Sequence, residues 1–339
     1  MSSLDLHGAD VAAGTPIRLQ SASLRVDVLP DNGGRVASIH CISTGTEFLL
    51  DGSHYDAQAQ FTANDAFEES DCAGMDECLP TVSVCGPETA GGSAPDHGDL
   101  WRHRWRVESK SEDSVLLSTQ CFSRPLSFRR RIQVQGSNVL FEYLIGNLAQ
   151  SQVPFLYACH PLLAVEPGDR LILPREINRA YLRYSRGGRV DQAGESISWP
   201  LAASADKAVA LDYVGEKSDG TAEMLYTGRL TRGICALYRA RRDQALVMHF
   251  DPAMLPYLGL WLCNGGWPDD AARKRQYAVA MEPTVAPYGS LAEAMDSGEA
   301  PMLMPGESFA FSIRMEVLGC DRPWSYDAVK NYVHEVPAV

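Results

Sequence analysis

The chain has 339 residues, 45% hydrophobic and 22% charged, an ordinary globular composition with enough apolar side chains for a substantial core. Its net charge of −13 argues against nucleic acid as a partner, because phosphate binding needs a basic surface that releases counterions. No apolar run approaches the roughly 20 residues that span a bilayer, so no membrane partner is expected either.

The N-terminal stretch "MSSLDLHGADVAAGTP" has neither a basic start nor a long apolar segment, and no signal peptide is expected. Period-two alternation then recurs along the chain, while helical periodicity is scarce. "SLRVDVLP" sets Leu24, Val26 and Val28 on one face. Residues 86–98, "GPETAGGSAPDHG", form the most loop-like segment, of the kind that carries function on a rigid scaffold. "LWRHRWRVES" reads as a strand, with Trp101, His103, Trp105 and Val107 opposite Arg102, Arg104 and Arg106. "RRIQVQGSNVLFEYLI" reads as two strands joined at Gly136-Ser137-Asn138. "GICALYRARRDQALVMHFD" repeats that plan, with a charged turn at Arg241–Asp243. "QYAVAMEPTVAP" reads as a strand of alternating Tyr277, Val279 and Met281 that ends on Glu282-Pro283. A helix over Ser290–Met295, a strand with Phe309, Phe311, Ile313, Met315 and Val317 alternating, and a second helix over Ser325–His334 complete the chain. Short strands at hairpin spacing predict an antiparallel β-sandwich, and the absence of a dividing linker predicts a single domain. The nine cysteines are scattered, and Cys72, Cys78 and Cys85 lack zinc spacing. Reduced thiols in a cytoplasmic protein are expected.

Three polar residues stand where apolar neighbours make them costly. His97 leaves the long loop in "PDHGDLW", His160 sits inside "FLYACHPLLAV", and Glu282 closes its own apolar strand. Each alone has a structural explanation: a turn, a hydrogen-bonded core histidine, a solvated strand end. Asp96, His97, Asp99 and His103 lie close together but lack ligand spacing, so no metal is expected. No dinucleotide or P-loop glycine motif and no G-x-S-x-G elbow is present, so no cofactor and no serine nucleophile are expected.

Six segments, taken in order, resemble the aldose 1-epimerase (galactose mutarotase-like) family. They are "NGGRVASIHCISTGTEFLL" (32–50), "GMDECLPTV" (74–82), "DHGDLWRHRWRV" (96–107), "HPLLAVEPGD" (160–169), "LPYLGLWLCNGGWP" (255–268) and "AVAMEPTVAPYGSLAEAM" (278–295). The resemblance spans about residues 20–318 and implies an all-β, antiparallel β-supersandwich with a sugar-binding groove. By motif match it implies Glu282 as the base for the anomeric hydroxyl, His160 as the acid for the ring oxygen, and His97 as the group that holds the ring or C1 oxygens. Interconverting anomers needs only coordinated proton transfers, which suits a buried glutamate paired with histidine.

A sugar also needs apolar rings for its C–H faces, for which Trp261 and Trp267 are the candidates, with Trp101 behind them. Asp76 and Glu77 have the look of hydroxyl-binding groups on a strand edge, and Asp251 is a further candidate. Arg102, with Arg104 and Arg106, could meet an anionic group on the sugar. The family's galactose-acting branch has an aspartate in a D-x-x-F segment with no clear match here; Asp212 in "ALDYV" is the distant candidate, which leaves the sugar open. The expectation is a sugar isomerase, monomeric or homodimeric. A non-catalytic carbohydrate-binding protein of the same fold, or a carbohydrate lyase or hydrolase, are the alternatives.

Overall fold

In a computed structural model, which describes residues 14–52, 62, 64–190, 196–204, 207–270, 272–335 and 337, the alternation resolves into two large antiparallel sheets packed against each other. Residues 1–13, which carry most of the signal-peptide reading, lie outside the described residues. The larger sheet has 11 strands. Five of them build the site: β1 (Met75–Cys78), β2 (Ala158–Ala164), β3 (Thr221–Thr227), β4 (Tyr257–Asn264) and β5 (Tyr277–Thr284). Their spatial order is β1, β2, β5, β4, β3, flanked by Arg35–Cys41 on one side and Arg179–Arg186 on the other.

The smaller sheet has 8 strands and centres on Ser308–Leu318, which lies between Gln244–Phe250 and Asn138–Asn147. Phe311, Ile313, Met315 and Val317 point into the core from that strand, as the period-two pattern predicts. Leu126–Gln135 and Asn138–Asn147 form the expected hairpin across Gly136-Ser137, with Gly136 at φ +55°, where lack of a Cβ removes the steric cost. The charged turn also falls where expected, between Ile234–Arg239 and Gln244–Phe250.

Both helices form. α1 spans Leu291–Asp296, and Ser290 caps it by accepting a hydrogen bond from the Glu293 N–H at 3.1 Å. α2 spans Tyr326–Glu335 and lays Val329 and Val333 against Ile234, Ala236 and Val247 of the smaller sheet.

One predicted strand is wrong at its start. Leu100–Arg102 is a short 3₁₀ turn, and the strand begins only at Arg106. Leu100 and Trp101 are adjacent and both fully buried, which a half-buried strand cannot arrange because its neighbours point to opposite faces. The supposed arginine stripe therefore does not exist. Arg102 is buried and donates to the carbonyls of Gly98 (3.0 Å), Asp65 (2.7 Å) and Asp96 (2.7 Å), while Arg104 pairs with Asp31 and Arg106 with Glu108.

Across the interior, Glu77 of β1 meets Arg130 of the smaller sheet at 2.8 Å, with both side chains fully buried. Tyr143 and Tyr157 donate to the same carboxylate at 3.0 and 2.6 Å, and Arg130 also donates to the Gly34 carbonyl. Removing one partner of such a pair strands the other charge in the core. Arg130→Met is expected to lower the unfolding free energy by about 3–5 kcal/mol. Tyr143→Phe, which removes one neutral donor, should cost about 1–3 kcal/mol. Urea titration of both variants checks the order, and an Arg130→Met protein as stable as the parent would refute it.

Candidate functional site

The register of the larger sheet decides which side chains meet. Along β2 and β5, Ala158 pairs with Thr284 and Leu162 with Ala280. The same register sets His160 opposite Glu282. The paired positions stop between those two points, where Pro161 and Pro283 lie, because neither proline has an N–H to give the ladder. On its other side Glu282 pairs with Gly259 of β4, and Gly259 pairs with Tyr226 of β3. Opposed residues share a face. One row therefore runs Asp76, His160, Glu282, Gly259, Tyr226 across five strands. Two residues along, a second row runs Leu162, Ala280, Trp261, Met224, Tyr184. From these rows His160, Glu282, Tyr226, Leu162, Trp261, Met224 and Tyr184 line a groove of about 780 Å³. Its walls include Phe67, His97, Trp267 and Gln276.

His160 Nε2 and Glu282 Oε1 lie 3.8 Å apart, beyond direct hydrogen bonding, and both side chains are almost completely buried. His160 Nδ1 and Glu282 Oε2 are buried without a hydrogen-bond partner. Burial pushes the Glu282 carboxyl from its ordinary 4.5 up to about 8. Burial, reinforced by the neighbouring His97, holds the His160 imidazole well below its ordinary value, so it is neutral near pH 7. Gly259 makes room for the carboxylate, since a Cβ there would stand 3.0 Å from Glu282 Oε2 and 3.1 Å from Met224 Cε.

His97 reaches the groove from the long loop through an unusual backbone. His97 and Gly98 both have positive φ, at +55° and +70°, and a Cβ on Gly98 would lie 2.3 Å from the Leu79 carbonyl oxygen. The His97 N–H donates to the Val82 carbonyl at 2.5 Å, and its Nδ1 lies 3.0 Å from Asp96 Oδ1. Burial opposes ionisation of Asp96, but His97 and Arg102 hold its carboxyl below the ordinary value. Phe67 stacks on the His97 ring at 4.1 Å between centroids, and the His160 ring meets His97 edge-on at 5.1 Å. Arg102, through the carbonyls of residues 65, 96 and 98, supports this loop instead of presenting its charge to the groove.

Trp261 and Trp267 line the groove at right angles, with 6.1 Å between centroids. Gln276 fixes Trp261 by accepting its Nε1–H at 2.6 Å. Trp101 is buried behind them and donates to the Asp96 carbonyl at 3.2 Å.

The remaining acidic candidates are used elsewhere. Asp76 is held by Arg35 Nε and Nη2, both at 2.9 Å, and Glu77 faces the opposite side into its pair with Arg130. Neither is a free strand-edge carboxylate, because both belong to a central strand and each is almost fully buried. Asp251 is exposed just beyond Gln244–Phe250 of the smaller sheet, where it accepts the Ala253 N–H, and it does not line the groove. Asp212 pairs with Arg170 at 2.5 Å. Asp99 turns to Ser123 and His103 to Thr119, so the 96–103 cluster does not converge. Among the described residues no group of three or more His, Cys, Asp or Glu side chains is gathered as a metal site. None of their helices is long and apolar enough to cross a membrane.

Phe67, Tyr184, Met224, Tyr226 and Gln276 also line the groove, as do Arg183, Glu68, Asp269 and Glu293, without a signal in the sequence. Register brings Tyr184, Met224 and Tyr226 together, while the turn at Phe67–Glu69 and the residue before Tyr277–Thr284 bring Phe67 and Gln276.

Solved structures share this architecture. The Slr1438 protein of Synechocystis sp. PCC 6803 is 17% identical, with 94% of this chain and 99% of that one covered at a TM-score of 0.66. An Escherichia coli K12 protein, named only provisionally as an aldose 1-epimerase, is 18% identical over 90% of this chain and 99% of its own, also at 0.66. A galactose mutarotase-like protein from Lactobacillus casei ATCC 334 is 14% identical over 90% and 100%, at 0.63. The fold is thus the galactose mutarotase-like antiparallel sandwich. No family model matches the sequence, and no curated protein does.

The buried carboxyl has a measurable consequence for stability. A folded-state value of about 8, raised above the ordinary 4.5, favours the folded protein fully below pH 4.5. That contribution is lost as pH rises through about 8. Glu282→Gln carries no ionisation to oppose burial, so its melting temperature should exceed the parent's by several degrees at pH 9 and match it near pH 4. Thermal scans across that range check the trend, and a constant difference would contradict the raised value.

Proposed function

We propose that the protein is an aldose 1-epimerase-like isomerase that interconverts the anomers of a sugar. The observation that carries this reading is the pairing of Glu282 with His160. Two adjacent strands hold them 3.8 Å apart, each with an unpartnered polar atom, in an aromatic-lined groove of sugar size.

In this reading Glu282 accepts the proton of the anomeric hydroxyl. The C1–ring oxygen bond breaks with its electron pair going to the ring oxygen, which takes a proton from the imidazolium form of His160 and leaves that ring neutral. A carbonyl is left at C1. Rotation about C1–C2 and reversal of both transfers close the ring on the other face. His97, fixed by Asp96 and Phe67, binds the ring or C1 oxygens. Trp261 and Trp267 pack on the sugar's C–H faces. The raised Glu282 value makes it a stronger base than an exposed carboxylate, and the lowered His160 value makes its imidazolium a stronger acid than an exposed one.

A hydrolase would need a second free carboxylate about 5–9.5 Å from the first. Asp76 and Glu77, the residues first suited to that role, are committed to Arg35 and Arg130, while Glu68, Asp269 and Glu293 also line the groove. A cytoplasmic setting, with a small neutral or anionic sugar as the partner, accompanies the proposal.

Anomer exchange followed by NMR over a panel of neutral, phosphorylated and acidic sugars tests it. Exchange should accelerate for at least one sugar, with a rate that is level on the acid side of about 8 and falls above it, where the Glu282–His160 pair loses the one proton that the cycle needs. Glu282→Gln should still bind that sugar while exchange falls by about 10²–10⁴-fold. Binding without exchange in the parent protein would point to a carbohydrate-binding role instead.

A further inference from the structure

Away from the groove, Cys41 and Cys320 bring their sulfurs to 3.2 Å although 279 positions separate them in the chain. Cys41 ends the strand Arg35–Cys41 of the larger sheet, and Cys320 follows Ser308–Leu318 of the smaller one. Two further bonds hold the segments together. Ser43 Oγ donates to the Cys320 carbonyl at 2.6 Å, and Gln244 Nε2 donates to the Gly319 carbonyl at 3.2 Å. Gln244 also reaches Cys41 Sγ, at 3.7 Å. The sulfurs need to close by only about 1 Å to reach the ~2.05 Å of a disulfide.

The two thiols are unlike. Burial opposes ionisation of Cys41, but hydrogen bonds from Ser43, Thr44 and Cys320 hold its thiol below the ordinary value. Cys320 is pushed up to about 12 by burial and by Cys41. Burial also raises Cys72, Cys78, Cys121, Cys159, Cys235 and Cys263. Cys41 is wholly inaccessible, whereas Cys320 is 8% exposed and offers the side from which a water-sized oxidant can approach.

We propose that Cys41 and Cys320 form a peroxide-sensitive oxidation site that closes into a disulfide stapling the two sheets. The Cys41 thiolate attacks one oxygen of hydrogen peroxide, and the O–O bond breaks to leave a sulfenic acid and hydroxide, which takes up a proton as water. The Cys320 sulfur attacks the sulfenic sulfur and expels its oxygen as a second water, carrying the Cys320 proton. Two thiols are oxidised to one disulfide and one peroxide is reduced to two waters. Closing so long a loop restricts the unfolded chain, so the oxidised form is the more stable one.

Treating the full chain with a modest excess of hydrogen peroxide tests the site. The free thiols should fall from nine to seven, with a Cys41–Cys320 peptide link in the mass map and a melting temperature several degrees higher that a thiol reductant reverses. Cys320→Ser should stop at the sulfenic acid, read as one added oxygen on the Cys41 peptide in the mass map, whereas Cys41→Ser should give neither product. Nine surviving thiols, a link between other cysteines, or thiol loss in the Cys41→Ser protein at the parent's rate would each overturn the proposal.

Discussion

The ion pair between Glu77 and Arg130 joins the two sheets through their shared interior, and two tyrosine hydroxyls complete the shell of the carboxylate. Buried ion pairs of this kind seldom add net stability over an apolar filling, because desolvation consumes most of the Coulombic gain. Their value lies in geometry. With Glu77 committed inward, period-two alternation turns Asp76 to the outer face, beside His160. Arg35 then neutralises Asp76 from the neighbouring strand. The strand beside His160 thus has its facing set by a charge that it can neither expose nor leave unpaired.

From β1 outward, the groove concentrates features that an ordinary sheet avoids. Two prolines interrupt the ladder between β2 and β5, a histidine takes a left-handed backbone, and two buried polar atoms lack partners. Each is unfavourable alone, and unsatisfied buried atoms cost about 1–3 kcal/mol apiece. Their convergence within one groove is the pattern expected where stability is yielded to chemistry. The same burial that penalises the Glu282 charge makes the carboxylate a better base, so the energetic cost and the chemical competence have a single origin.

Several parts of this arrangement were legible in the chain. The alternation in Ser308–Leu318, the Gly136-Ser137 turn and the Ser290 cap are local signals, and each appears where the pattern predicts. His160 and Glu282 announced themselves as polar residues before prolines in apolar runs. Asp76 and Glu77 show the limit. Adjacent acids look alike in a sequence, yet one residue of alternation sends them to opposite faces and to different arginines. The arginines near residue 104 misled for a related reason, since a buried Leu100-Trp101 pair converts the expected strand start into a turn.

Strand propensity, turns and caps depend on neighbours within a few residues, so the sequence by itself determined an antiparallel, mostly β protein and singled out His97, His160 and Glu282. Which strands lie side by side, and in what register, depends on packing between segments far apart in the chain, such as Ala158–Ala164 and Tyr277–Thr284. Only the tertiary structure could set His160 opposite Glu282, put Gly259 where the carboxylate needs space, and line the groove with Phe67, Tyr184 and Tyr226. A shift of one residue in that register would turn the strand side chains among these to the other face of the sheet.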